Sequence, residues 1–255
     1  MNIKELYERL EARIPRELSC SWDNDGLMCC PDTEGEVKRV LIALDVTAEV
    51  AEQAIAGGYD LIVSHHPLVF RPLKALNPTV PVAKKVIRLL TAGVSVMSFH
   101  TRLDAVEGGV NDVLAVALGL SHAEPFGNDG EAIGRIGTLP QEMTLEAFTM
   151  LVKQVTGAPY VTVSDAKRSV RRVAVLGGSG SDDVAAAERA GADTYLTGEL
   201  GHHHLTDCPE RGMNLLAAGH FFTENLVCEA LRGILLEIDG DLTVDLTDSN
   251  RIEVI

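Results

Sequence analysis

Asp60-Leu61-Ile62-Val63-Ser64-His65-His66-Pro67 is the stretch on which the fold of this chain turns. A short, unbroken apolar run suits a strand covered on both faces, as in a parallel sheet. Pro67 obliges the chain to turn, and ligand sites of open α/β sheets lie beyond the carboxyl ends of their strands. Two imidazoles delivered at that point indicate a bound ion or substrate. Neighbouring side chains on a strand face opposite ways, so His65 and His66 would serve two ions, or one ion and one substrate.

Working outward, Val40–Leu44 is a second buried strand. Asp45 to Thr47 offers caps to a helix over 48–57, which Gly57-Gly58 ends. Downstream, a helix over 82–92 leads through Gly93 to a strand over 94–99 that runs into His100. Gly108-Gly109 opens a further helix through Leu118. This β-α-β order carries the signature of a parallel sheet. Before it, residues 3–14 have helical spacing up to Pro15, and Trp22-Asp23-Asn24-Asp25-Gly26 is a polar turn. After it, residues 121–140 are rich in Gly and Pro and make the best junction, giving halves of 1–126 and 127–255. A helix over 144–156 and a strand over 160–164 precede a second β-α-β. A helix from Glu224 to about 237 and a strand hairpin, 242–245 with 251–254, close the chain. The tail could join either half.

The halves echo one another. Arg39-Val40-Leu41-Ile42 returns as Arg172-Val173-Ala174-Val175, and Gly58-Tyr59-Asp60-Leu61 as Gly191-Ala192-Asp193-Thr194, both 133 residues on. His100-x3-Asp104 returns as His220-x3-Glu224, 120 residues on. We read this as duplication of one α/β unit. The echo fails where it matters: His65-His66 is answered by Gly198-Glu199. One asymmetric site between the halves is therefore expected, not two independent ones.

Imidazoles and carboxylates in this pattern suit Zn, Fe, Mn or Ni, with no thiolate close in sequence to build a closed structural zinc site. A carboxylate bridging two ions is the usual means of holding them together to activate a water. The Glu199 segment leads into His202-His203-His204, which is either a polar loop or a group lining the site with Glu199 as a proton-handling residue. Gly177-Gly178-Ser179-Gly180-Ser181 lacks the Lys of a P-loop, and Asp182-Asp183 behind it would repel phosphate, so a tight turn is expected there.

With 255 residues and 46% hydrophobic side chains, the chain has room for two halves of ordinary size. No apolar run has the roughly 18 residues a membrane helix needs, and the charged, helical N-terminus is unlike a signal peptide, so a cytoplasmic protein is expected. A formal charge of −15 argues against nucleic acid as a partner. Five cysteines without a CxxC read as reduced thiols, with a redox or metal role for Cys29-Cys30 as the minor alternative.

Several motifs in one order carry a resemblance: Trp-Asp-Asn-x-Gly-Leu at 22–27, Ser-His-His-Pro at 64–67, Phe-His-Thr-x-Leu-Asp at 99–104 with Gly-Gly-Val-Asn-Asp behind it, Thr-Gly-Glu at 197–199, and Ala-Gly-His-x3-Glu at 218–224. Over nearly its whole length the chain resembles the NIF3-like family, whose members are also labelled GTP cyclohydrolase 1 type 2 homologues. The resemblance implies an α/β fold of two related halves with parallel-rich sheets and a dinuclear metal site in the cleft between them. It implies that His66, Asp104 and Glu224 hold one divalent ion and His65, His220 and Glu224 the other, with Glu224 as bridge and His100 beside them handling protons. It also implies a homohexamer, in a short form without the domain that longer members insert. The chain departs from the family pattern at Asp25, commonly Val, and Arg102, commonly Asn. Arg102 is open to two readings, an anion contact or a solvent-facing side chain. Together these readings favour a metal-dependent hydrolase of a nucleotide or other anionic small molecule, against a non-enzymatic hexameric metal-binding or regulatory scaffold.

Overall fold

The apolar runs do become strands in the computed structural model of the chain, which describes residues 1–128 and 131–253. The architecture is mixed α/β, with one sheet in each of two units.

The first unit comprises Met1–Leu103 and Cys228–Glu253. Helix α1 (Ile3–Arg13) starts at Asn2, whose side chain accepts the Glu5 amide at 2.8 Å, and buries Ile3, Leu6 and Leu10. The sheet contains β1 (Gly26–Cys29), β2 (Arg39–Ala43), β3 (Leu61–Ser64), β4 (Ser95–Ser98) and β11 (Thr243–Leu246), in the order β1-β4-β3-β2-β11. Every pairing is parallel except β1 on β4. Helices α2 (Ala48–Gly57) and α3 (Pro81–Thr91) cover a core that includes Leu41, Ile62, Leu89 and Val96, all fully buried. Burying each such side chain contributes about 1.5–3 kcal/mol, and this is why Val40–Ala43 in β2 and Leu61–Val63 in β3 read as unbroken apolar runs.

The tail's destination, open in the sequence, is β2. Helix α10 (Val227–Ile238) returns the chain, and Thr243 to Leu246 pair in register with Arg39 to Ile42. The expected terminal hairpin does not form: residues 251–253 carry no strand, and residue 254 lies outside the described residues. Past β11, Arg251 instead reaches Glu49 at 3.2 Å.

The second unit is described for Asp104–Val227. The chain leaves the first unit inside helix α4 (Thr101–Ala105), followed by α5 (Val110–Ala117). The sheet comprises β5 (Ser121–Asn128), β6 (Glu131–Met143), β7 (Thr162–Ser164), β8 (Val170–Ser179), β9 (Thr194–Glu199) and β10 (Asn214–Ala217), in the order β5-β6-β8-β9-β10-β7. Only β8-β9-β10 is parallel; the other three pairings are antiparallel, so this sheet is less parallel-rich than expected. Helices α6 (Leu145–Thr156), α7 (Val184–Arg189), α8 (His202–Glu210) and α9 (His220–Glu224) complete it. The segment 121–140 is not a junction. Its described residues belong to the antiparallel partners β5 and β6, and Pro125 is tolerated because β5 is an edge strand. The boundary thus falls before the expected 126/127, since residues from Asp104 onward pack with the second sheet.

The duplication is visible down to single hydrogen bonds. In the first unit Asp60 Oδ2 accepts the amides of Lys38 and Arg39, and Arg39 donates to the Gly57 carbonyl. In the second, Asp193 accepts the amides of Arg171 and Arg172, and Arg172 donates to the Ala190 carbonyl. All these partners stand 133 residues apart, so the repeated Arg and Asp are the residues that join each first strand to the approach of its parallel neighbour.

Candidate metal centre

In the first unit, β3 ends at Ser64, so His65 and His66 lie in the bend beyond it, where strand alternation no longer holds. The two rings sit side by side with centroids 4.8 Å apart, contrary to the expected opposite facing. His100, which follows β4, joins them. One nitrogen from each of the three rings falls within 4.8 Å of the others.

Each ring has its Nδ1 engaged by an oxygen. His65 Nδ1–H donates to the Phe99 carbonyl (3.0 Å), His66 Nδ1–H to Asp45 Oδ1 (2.7 Å) and His100 Nδ1–H to Asp23 Oδ1 (2.8 Å). Those bonds set the tautomer, placing the lone pair on Nε2, the usual arrangement of a metal-ligating histidine. Burial by itself would raise the Asp23 carboxyl. Hydrogen bonds from His100 and from the Thr101 hydroxyl and amide outweigh it and hold the group down at about 2.

In the second unit, β10 leads through Ala218 and Gly219 into the short helix α9. His220 and Glu224 are one turn apart on it, with Nε2 and Oε2 separated by 3.2 Å. His220 repeats the pattern of the first unit: its Nδ1–H donates to Glu199 Oε1 at 3.1 Å. Glu199, expected to handle protons, is thus the carboxylate that orients His220. Asp104 and Glu224 are both buried, and their nearest candidate oxygens lie within 4.8 Å of each other. Asn111, fully buried, braces this region by donating to the Asp104 and Ile133 carbonyls and accepting the Gly177 amide.

Glycine makes the room. Gly178 has φ +70°, and a Cβ there would run into Glu224 Oε1 and approach His220 Nε2 to 3.0 Å. A Cβ on Gly198 would come within 2.7 Å of the His220 Cα. The run 177–180 is therefore no simple turn. It is the cradle that lets α9 carry its carboxylate against the end of β8, a role the sequence reading missed.

Arg102 follows neither of its two readings. It is fully buried, with Nε donating to Asp25 Oδ2 (2.9 Å) and Nη1 to Glu11 Oε1 (3.0 Å) and the Ile14 carbonyl (3.1 Å). Burial pulls its pKa down, but Asp25 and Glu11 leave it above its ordinary value. The chain's two departures from the family pattern, Asp25 and Arg102, are thus one ion pair. Asp25 Oδ2 also accepts the His100 amide at 3.2 Å.

His202, His203 and His204 form the first turn of α8, not a loop, and none belongs to a possible metal-binding group among the described residues. Cys29 and Cys30 lie at the far end of the sheet from His100. Cys29 pairs with Val96, and the Ser95 hydroxyl donates to Cys30 Sγ at 3.4 Å. The sequence reading also missed Asp23 and Asp45. Asp45 carried a usable signal: in the β2–β3 register Ala43 faces Ser64, so two residues on it comes level with His66.

The residues suit a divalent cation. The first unit offers three imidazoles oriented through Nδ1, and the second offers His220 beside Glu224, itself close to Asp104; nitrogen and carboxylate donors of this kind are the usual ligands of such an ion. No described helix is long and apolar enough to cross a membrane.

The chain is 34% identical over 229 residues to a GTP cyclohydrolase 1 type 2 homolog of Clostridium perfringens, covering 88% of this chain and 87% of that one. It is 32% identical to a protein of the same description from Clostridium acetobutylicum, over 99% and 97% of the two chains. The crystal structure of a Bacillus cereus protein related to NIF3 superposes with a TM-score of 0.91 at 25% identity, covering 100% of this chain and 99% of that one. The sequence profile of Duf34/NIF3 (NGG1p interacting factor 3) matches residues 1–252, and the chain belongs to that family.

Proposed function

We propose that the chain is a metal-dependent hydrolase that holds two divalent ions and acts on a nucleotide or another anionic small molecule. The observation that carries this reading is the shared construction of His65, His66 and His220, each with Nδ1 held by an oxygen acceptor so that Nε2 is the nitrogen offered to an ion, and His100 is oriented in the same way. His65, His66, Asp104, His220 and Glu224 would hold the ions, with Glu224 shared. Bound there, the ions would supply Lewis acidity and activate water. His100, held through Nδ1 by Asp23, would take or give a proton at Nε2. The nucleotide class follows from the relatives described as GTP cyclohydrolase 1 type 2 homologs.

Elemental analysis of untagged protein tests this. About two equivalents of Zn, Fe, Mn or Ni per chain are expected, with hydrolysis of nucleotides or phosphoesters that EDTA abolishes. Glu224→Ala should lose both ions, and His65→Ala mainly one. Less than about 0.2 equivalents after reconstitution with each metal, against the two of a dinuclear site, would refute the proposal.

A further inference from the structure

We infer that Trp22 and Phe70, with the ring of His100, form a seat for a planar heteroaromatic ring, so that the substrate class is a small molecule carrying a nucleobase-like ring. This rests on the reading of the histidine group as the reacting centre for the substrate's fate, while the seat itself needs no metal. The chain has a single tryptophan and few aromatics, yet Trp22 is 56% and Phe70 43% exposed. They are not scattered surface residues. The Trp22 and Phe70 rings are 6.2 Å apart at 79°, Trp22 and His100 6.2 Å at 77°, and Phe70 and His100 5.9 Å at 85°. Three nearly perpendicular rings make a corner: a flat ligand stacked on one wall turns its edges to the faces of the others, the geometry aromatic systems favour.

The corner is built, not incidental. Asp23, next to Trp22, accepts hydrogen bonds from the His100 ring at 2.8 Å and from the Thr101 hydroxyl at 2.6 Å. Asn24 donates its side-chain amide to the Val69 carbonyl, immediately before Phe70. Two successive side chains therefore tie the Trp22 turn to both other walls. Stacking on an aromatic face tolerates any base, since every base presents a π-face. A ring seated here lies against His100, which belongs to the same three-ring group as His65 and His66.

Trp22 is its own reporter. Metal-stripped full-length protein is titrated with adenosine, with ribose as the ringless control, and emission is read with excitation at the red edge of the indole band. Saturable quenching by adenosine, none by ribose, and a dissociation constant raised about fivefold in Phe70→Ala are expected. Calorimetric titration of Trp22→Leu should show adenosine binding weakened at least as much, with unchanged circular dichroism confirming the fold. Linear, non-saturating quenching, or an unaltered constant in both variants, would overturn the inference. So would Trp22 emission already shielded from acrylamide in the free protein, because a second copy would then cover the seat. Adenosine binding in a protein that takes up no metal would retain the seat and refute only the hydrolase proposal.

Discussion

Replacing Arg102 by Asn leaves Asp25 buried with its charge uncompensated. In the wild-type protein the pair is almost fully desolvated, with side-chain exposures of 0% and 2% and an Nε–Oδ2 distance of 2.9 Å. The remaining partners of Asp25, the Ser19 hydroxyl at 3.2 Å and the His100 amide at 3.2 Å, are neutral dipoles. Breaking a buried pair from one side costs about 3–5 kcal/mol. Against a urea dependence of roughly 2 kcal/mol per molar, that lowers the unfolding midpoint by about 1.5–2.5 M. Trp22 lies in the same unit and reports the transition. Adding Asp25→Val removes the stranded charge, so the double variant should be more stable than Arg102→Asn alone. A coupling of at least about 2 kcal/mol is expected from the double-mutant cycle. Free-energy changes that add to within about 0.5 kcal/mol would refute the claim that Asp25 and Arg102 are one compensated feature.

Asp45→Asn weakens the acceptor that holds His66, and should lower metal affinity about 10–100-fold in competition with a chelator, with little change in thermal stability. Gly178→Ala forces a side chain into a left-handed position against Glu224; metal stoichiometry should fall, and full occupancy in a folded variant would contradict the cradle. Burial, aided by neighbouring Cys30, pushes the Cys29 thiol up to about 11. Only about 0.1% is thiolate at pH 8, so alkylation there should be slow and rise about tenfold per pH unit, as read by peptide mass spectrometry. Changing both Cys29 and Cys30 to Ser should leave metal content unaltered.

Local chemistry accounts for what was legible in advance. The apolar runs at 40–43 and 61–63 announce buried strands because both faces of a parallel strand are covered. The Arg and Asp repeated 133 residues apart announce a duplication because they make the same backbone bonds in each copy. The segment 121–140 misled because Gly and Pro serve an edge hairpin as readily as a linker. The opposite facing of His65 and His66 failed because alternation ends with the strand, at Ser64.

The sequence by itself determined the β-α-β core of each half, the histidine and carboxylate spacings and the membership of a family, since each depends on residues near in the chain or on motif order. Only the tertiary structure decided that β11 pairs with β2, that Arg102 is buried against Asp25, and that Asp23, Asp45, Glu199 and the Phe99 carbonyl hold the four rings. Those outcomes depend on groups distant in sequence meeting in space. The free energy of a buried charge or an oriented imidazole belongs to that meeting, not to either residue alone.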